Sequence, residues 1–571
     1  MSPKQTSRAD TDRLELPQRC SRAQRRRRAD EVAETRDAYA FDHSWTGYPP
    51  CIERLPLREI PPKGVIKLIE SGFYLEKSKL EQWLHHATDR VLHLGREEEP
   101  FAEYTALYDA ETLPEIGRTG RWKYDAVFAE QRLNGMYPWF IERLVELEPF
   151  RETFPISDER LSGLLPPGVT LEGLCEEGRL YVVSQPSLEA AKPAHGHVMT
   201  APTTLFYVSN LGQLLPIAIQ LYPATSDTNP IFTPNDDPGT WLAVKIHAAC
   251  ADTLVHSIYS HAVLMHFVMC NVWTAANRTL PSTHPIHAFL EPHFWSTLFV
   301  TNAVKSSMDK PNGSQCEVYG TGLEGQDSMV ARLYRDFDFS RYIPSVDFAA
   351  RGVDDPDKLP GFHYRDDALA LWDIDLHYVE RMMGLFYESD EDVRQDEELQ
   401  AWVHEMASAS GAGIRGLPTG ESGRIETRTQ LFLLLTCVLF TVTSRHSSIE
   451  NGALEYLYVP ANPFLYRLDP PRVAGAKLSL RQVADELPPI DQAIRSYALI
   501  ATADFDPEEF GQLGRYEEDF TQGWPEAAAT AVDDWKNALK ELSAAIHVRN
   551  EKLETPYSAL DPRRTFNSIW N

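Results

Sequence analysis

A mostly α-helical fold, with one large domain and a small antiparallel β patch around residues 178–222, is what this 571-residue sequence predicts. Three observations predict it. After Trp241 apolar residues recur at helical spacing almost to the end. Only the stretch 178–222 alternates in short runs rich in β-branched and aromatic residues, separated by Pro, Asn and Gly. No internal repeat and no long linker divides the chain, so one large domain fits better than several small ones.

Composition limits the function. Acidic residues outnumber basic ones, 83 against 55, for a net charge of −28, which argues against nucleic acid as the main partner, since phosphate needs clustered Lys and Arg. Hydrophobic residues at 43% and charged residues at 24% suit a folded chain rather than a disordered one. The seven cysteines are odd in number and contain no CxxC pair, so a disulfide framework or thiolate zinc site is not expected and a reducing, cytoplasmic setting is. The N-terminus lacks the apolar stretch of a signal peptide.

Taken in order, residues 1–40 are polar and contain Arg25-Arg26-Arg27-Arg28, and they read as a disordered basic tail ahead of a domain over 41–571. Residues 65–113 have a helical pattern. In the β patch, the runs beginning at Arg179, Thr203 and Leu214 are the strands. Helical periods follow over 241–276, 286–308, 364–388, 391–410, 427–450, 480–502 and 527–548. The Gly- and Asp-rich segment 309–326 reads as a surface loop. The apolar run 431–442 is too short to span a membrane and reads as a helix buried on all sides.

Histidines cluster in one apolar helix: His247, His256, His261 and His266, with His284 soon after. His261 and His266 are five apart. Five residues of α-helix turn about 500°, leaving the two rings about 140° apart. They converge only if the helix widens toward i→i+5 bonding, a rare device found often at functional sites. Two satisfied core histidines on different faces is the plainer alternative. A second helix carries His446 and Glu450, four apart and so on one face; half of a metal site and an ordinary His–Glu pair at a helix end are both open. Three imidazoles with oxygen donors suit iron, manganese or zinc, and open positions with redox chemistry favour iron.

Several ordered segments carry a resemblance. Tyr124-Asp-Ala-Val-Phe-Ala-Glu-Gln-Arg-Leu-Asn-Gly-Met-Tyr-Pro138 is similar to a lipoxygenase motif, with Tyr137 in place of the usual Asn. Gly178-Arg-Leu-Tyr, Pro202-Thr-Thr-Leu-Phe, Trp241-Leu-Ala-Val-Lys, His261-x4-His266, Asn277-Arg-Thr-Leu, the run from His284 to His293, the run from Tyr364 to Trp372, Asp396 to Trp402 and the terminal Asn567-Ser-Ile-Trp-Asn571 follow in the family's order. The sequence thus resembles the lipoxygenase catalytic domain over most of its length, in a short form like fungal and some bacterial members, without the N-terminal β-barrel lipid module. The resemblance implies one non-haem metal held by His261, His266, His446, the residue at 450 and the C-terminal carboxylate of Asn571. His256 would orient ligands from outside the metal's own shell. The His-x4-His spacing implies iron, with manganese as the second choice. The implied substrates are a polyunsaturated fatty acid or related polyene and O2.

The sequence departs from the family at the metal. Glu450 stands where Asn, His or Ser is usual, and Asn451 would replace it only if the helix shifted by one residue. Ser257 and Ala453 stand where a hydrogen-bonded pair of Gln residues is common. Asn571 replaces a terminal Ile. The position that steers oxygen aligns with Val304, or with Lys305 after a one-residue slip. These readings leave two expectations: a lipoxygenase-like iron dioxygenase that makes a hydroperoxide, or a divergent protein that rearranges or cyclises a polyene or hydroperoxide, or binds lipid without catalysis. Peripheral membrane contact and oligomeric state stay open.

Overall fold

The structure is a computed structural model that describes residues 13–61, 80, 84, 100–105, 115–194, 196–457, 462–467, 469–501, 506–517 and 520–570. Most of the expected helix over 65–113 lies outside the described residues. The rest is mostly helical, as expected, with the expected β patch and a second, two-stranded sheet that was not.

Helix α1, Arg22–Arg36, opens with a capping box in which Ser21 and Gln24 satisfy each other's backbone donors. This corrects the expectation of a disordered tail for residues 13–40. Arg28 is only 5% exposed. It makes a two-pronged ion pair with Glu398, Nε–Oε1 3.0 Å and Nη2–Oε2 2.5 Å. Leu14, Leu16 and Tyr39 are buried in the main core on either side of it. Long-range partners, invisible in a local run of charges, turn the arginine stretch into a docked helix. The domain therefore begins ahead of residue 41.

The β patch is a five-stranded antiparallel sheet in chain order: β3 (Glu142–Arg143), β4 (Leu180–Ser184), β5 (Thr203–Val208), β6 (Leu214–Gln220) and β7 (Ile231–Phe232). Two short strands precede it, β1 (Phe41–Asp42) and β2 (Cys51–Ile52). The register shifts between Leu205 and Phe206, opposite Pro216–Ala218. Pro216 has no N–H to give the ladder, so a bulge is where a strand tolerates it.

Two long helices form the centre. Helix α2, Pro238–Thr279, is 42 residues long. It starts at Asp237, whose carboxylate accepts from Thr240 N, with Pro238 in the first turn. It ends where Leu280 turns extended ahead of Pro281. Helix α6, Arg428–Phe440, starts with a Thr427–Gln430 capping box and continues through Thr441–Arg445 into His446–Tyr456. Both are apolar and long enough to cross a membrane, and both are core: the most apolar windows are 83% and 94% buried. Each buried Leu or Val on them stabilises the fold by about 1.5–3 kcal/mol.

Around this pair pack α3 (Thr297–Met308) on the middle of α2, α5 (Glu397–Ala407) on its last third, and α4 (His363–Gly384) between α6 and α7 (Ala527–Asn550). Several boundaries differ from expectation, among them 391–410, which divides at Asp396. The segment 309–326 is not a surface loop: Ser314–Val318 and the start of Gly322–Arg335 are helical, with Cys316 and Val318 buried. The period over 286–308 is broken by a turn at 291–296, and that over 480–502 at 486–489.

Candidate metal centre

Within α2 the backbone widens over His256–Phe267 into a π-helix, closed by Val268 N–H donating to the Val263 carbonyl five residues back. In α6 the same happens over Thr441–Arg445, where His446 N–H reaches Thr441 O. The widening of α2 is the condition under which His261 and His266 converge. Their Nε2 atoms lie 3.0 Å apart. His446 Nε2 completes a triangle at 3.2 Å from His261 and 3.3 Å from His266. His266 and His446 are fully buried, and the His261 side chain is 22% exposed. The alternative of two core histidines on different faces is excluded.

Hydrogen bonding alone cannot satisfy this triangle. A neutral imidazole has one N–H and one lone pair, each in the ring plane, so three nitrogens aimed at one another bring like atoms together. A cation at the common point resolves the conflict. Sides of 3.0–3.3 Å leave the three nitrogens close enough to share one ion at the usual metal–imidazole length of about 2.0–2.1 Å. Burial pushes the His261 imidazole down to about 4, holding it in the neutral, ligating form.

Glu450 adds a carboxyl oxygen. Its Oε2 is 3.2 Å from His261 Nε2, so the carboxylate, 4% exposed, reaches across to the other helix. Asn451 does something else. Its Nδ2 donates to the carbonyls of Ala559 and Arg564, at 3.1 and 3.0 Å. The helix is in the register that gives Glu450, not Asn451, to the histidines.

The C-terminal segment is docked beside them. Ser447 Oγ accepts from Phe566 N at 3.1 Å. His293 Nδ1 donates to the Asn567 carbonyl at 2.9 Å, and Ser296 Oγ donates to Ile569 O at 2.5 Å. Ile569 and Trp570 are buried. Asn571 lies outside the described residues. The tail thus enters the core at the face of α6 next to His446. Sequence reading missed Ser447, His293 and Ser296; a hydroxyl next to His446 was the available signal.

His256 is 1% exposed and packs edge-on against Tyr137, ring centroids 5.9 Å apart. Burial pushes it down to about 3. Tyr137 hydrogen-bonds Thr253 Oγ1 and, at 3.0 Å, Asn462 Oδ1, so it fills the usual Asn position as a buried, fully used hydroxyl. Gly135 beside it is needed for space: a Cβ would come within 2.8 Å of Gln131 Cα and 2.9 Å of the Tyr456 ring. Ser257 is buried near Tyr319, whose hydroxyl burial raises far above the ordinary range. Val304 is half-buried on α3, in the cluster that includes Val263 and Phe267 of the π segment. Lys305 makes an ion pair with Asp42 at 2.8 Å.

The sequence profile described as Lipoxygenase matches residues 63–557. The chain belongs to the lipoxygenase family. Among its relatives, the polyunsaturated fatty acid lipoxygenase ALOX15B of Homo sapiens is 32% identical over 78% of this chain. The hydroperoxide isomerase ALOXE3 of Mus musculus is 30% identical over 79% of it. This lipoxygenase chain spans 66% and 63% of the lengths of those two proteins. The structure of coral 8R-lipoxygenase superposes with a TM-score of 0.87 at 25% identity, covering 98% of this chain and 83% of that one. Manganese lipoxygenase of Gaeumannomyces graminis shares the fold, with a TM-score of 0.80 at 20% identity over 98% of this chain and 100% of that one.

Proposed function

We propose that this lipoxygenase is a non-haem metal dioxygenase that inserts O2 into a polyunsaturated fatty acid or related polyene and releases a hydroperoxide. The observation that carries the reading is the triangle of imidazole nitrogens at 3.0–3.3 Å with Glu450 against it. His261, His266, His446 and Glu450 would hold the metal, with the carboxylate of Asn571 as a further ligand. Iron is the first choice and manganese the second. Bound there, the metal supplies the one-electron oxidation that accompanies removal of a hydrogen from the methylene of a 1,4-diene.

The chain's own residues do the rest. The two π segments aim the imidazoles. Burial disfavours the charged form of His261, leaving it ready to bind rather than to carry a proton. Glu450 brings a negative charge where the family commonly has a neutral donor, which favours the more oxidised metal and lowers its drive for hydrogen abstraction. Val304, with the apolar cluster beside it, would restrict which carbon meets O2. An apolar substrate chain gains about 0.8 kcal/mol for each CH2 it buries, so few polar contacts are needed to hold it.

Glu450 also favours a second reading, isomerisation of a preformed hydroperoxide. That is the activity named for ALOXE3, and the allene oxide synthase-lipoxygenase protein of Plexaura homomalla, 29% identical over 78% of this chain and covered over 44% of its own length, carries both names. Oxygen uptake with linoleate and longer polyenes, read beside the conjugated-diene absorbance of the product, tests the first reading. Uptake matched by diene formation supports it. No uptake, with consumption of an added fatty-acid hydroperoxide, supports the second.

A further inference from the structure

A histidine triangle built from two helices needs something that fixes one helix against the other, and it needs it at the widened turns. A π segment is less favourable than the α-helix it interrupts and persists where its surroundings hold it. One side chain touches both segments. Tyr342 ends the short helical turn Phe339–Tyr342 and is 1% exposed. Its hydroxyl donates to the Leu264 carbonyl at 2.5 Å, midway between His261 and His266. Its ring lies under the guanidinium of Arg445, 5.1 Å from Cζ to centroid. Arg445 is the last residue of the other π segment and directly precedes His446.

Arg445 is held from two more sides. Trp139 lies 4.7 Å from its Cζ, ring to cation. Its Nη1 donates to the Arg341 carbonyl at 3.1 Å, so consecutive residues 341 and 342 both grip it. Trp139 is fixed in turn: it meets Tyr364 edge-on at 4.7 Å, and Arg351 Nη1 binds the flanking carbonyls of Pro138 and Ile141 at 3.0 and 2.8 Å. A buried arginine over two aromatic faces is an oriented contact, not an interchangeable positive charge.

We propose that Tyr342, Arg445 and Trp139 form a clamp that sets the spacing of the two π segments, and with it the spacing of the histidine triangle. They are positioning residues, acting on the backbone and the segment ends that carry the histidines. The inference rests on the metal site proposed above, yet its central statement is mechanical. Loosening one segment at Tyr342 or Arg445 loosens both.

The test uses the full chain with Tyr342→Phe, Arg445→Met, Arg445→Lys and the Phe/Met double variant. Tyr342→Phe removes only the hydroxyl and keeps the ring, so it spares folding. Amide exchange of the metal-free protein is read over 256–267 and 441–446, and iron affinity by chelator competition. The clamp predicts faster exchange in both segments from either single change. It predicts iron affinity weaker by about 10- to 100-fold, the cost typical of groups that orient ligands. Arg445→Lys recovers part of the loss, and the double variant is less than additive. Faster exchange confined to the segment that lost its own contact, or unchanged exchange in both, overturns the clamp. Wild-type protein that takes up no iron overturns the metal reading instead, and the exchange result then decides the clamp alone.

Discussion

At the scale of the residue, Glu450 separates this chain from the family pattern. The carboxylate is buried and sits 3.2 Å from His261. Removing its charge while keeping an oxygen donor, Glu450→Asn, is predicted to raise the reduction potential of the bound metal and to increase dioxygenase turnover several-fold, read by redox titration and oxygen uptake. Unchanged potential would remove Glu450 from the metal's surroundings. Asp375 makes a different residue-scale prediction. It is fully buried, Oδ1 accepts from Trp535 Nε1 at 3.0 Å, and burial pushes its carboxyl up to about 7. An acid raised in the fold binds a proton there that the unfolded chain has released, so stability falls as pH rises from about 4 to 7 and stays low above. Asp375→Asn is predicted to melt higher than wild type at pH 8, by up to about 4 kcal/mol of stability, and alike at pH 4. Thermal melts across that range check it.

At the scale of the element, the N-terminal helix and the C-terminal tail are each held by contacts far apart in sequence. Arg28 pairs with Glu398, 370 positions away. Breaking a buried pair leaves a stranded charge, so Arg28→Ala is predicted to cost about 3–5 kcal/mol, or to free α1 for trypsin in limited proteolysis. Arg26→Ala, at an exposed pair of 4.0 Å, is predicted to change nothing measurable. Asn451 holds the tail through two carbonyls. Asn451→Ala is predicted to lower stability by about 1–3 kcal/mol and to speed metal loss, measured as iron release to a chelator. These elements mark what the sequence could and could not tell. The 3.6 period showed the long helices, because each buries a continuous apolar face. Alternation showed the sheet, which only gained two short edge strands. The arginine run and segment 309–326 misled because local composition says polar, whereas Arg28 and Cys316 are buried by distant partners.

At the scale of the whole molecule, the fold brings two helices about 180 positions apart into contact at one buried point. His261, His266, His446 and Glu450 were all legible in advance. The five-residue spacing converges only on a widened helix, the four-residue spacing put His446 and Glu450 on one face, and the resemblance joined the two helices. Tyr342, Arg445 and Ser447 were not legible, because their partners are set by tertiary packing rather than by spacing. The central claim, that the triangle is a metal centre, is most directly tested by the metal content of purified wild-type protein beside a His261→Ala/His446→Ala double variant, prepared without chelators. The expected result is close to one iron, or in its place manganese, per wild-type chain and none in the variant. A folded wild-type chain that holds no metal even after reconstitution, or a variant that keeps as much as wild type, would contradict it.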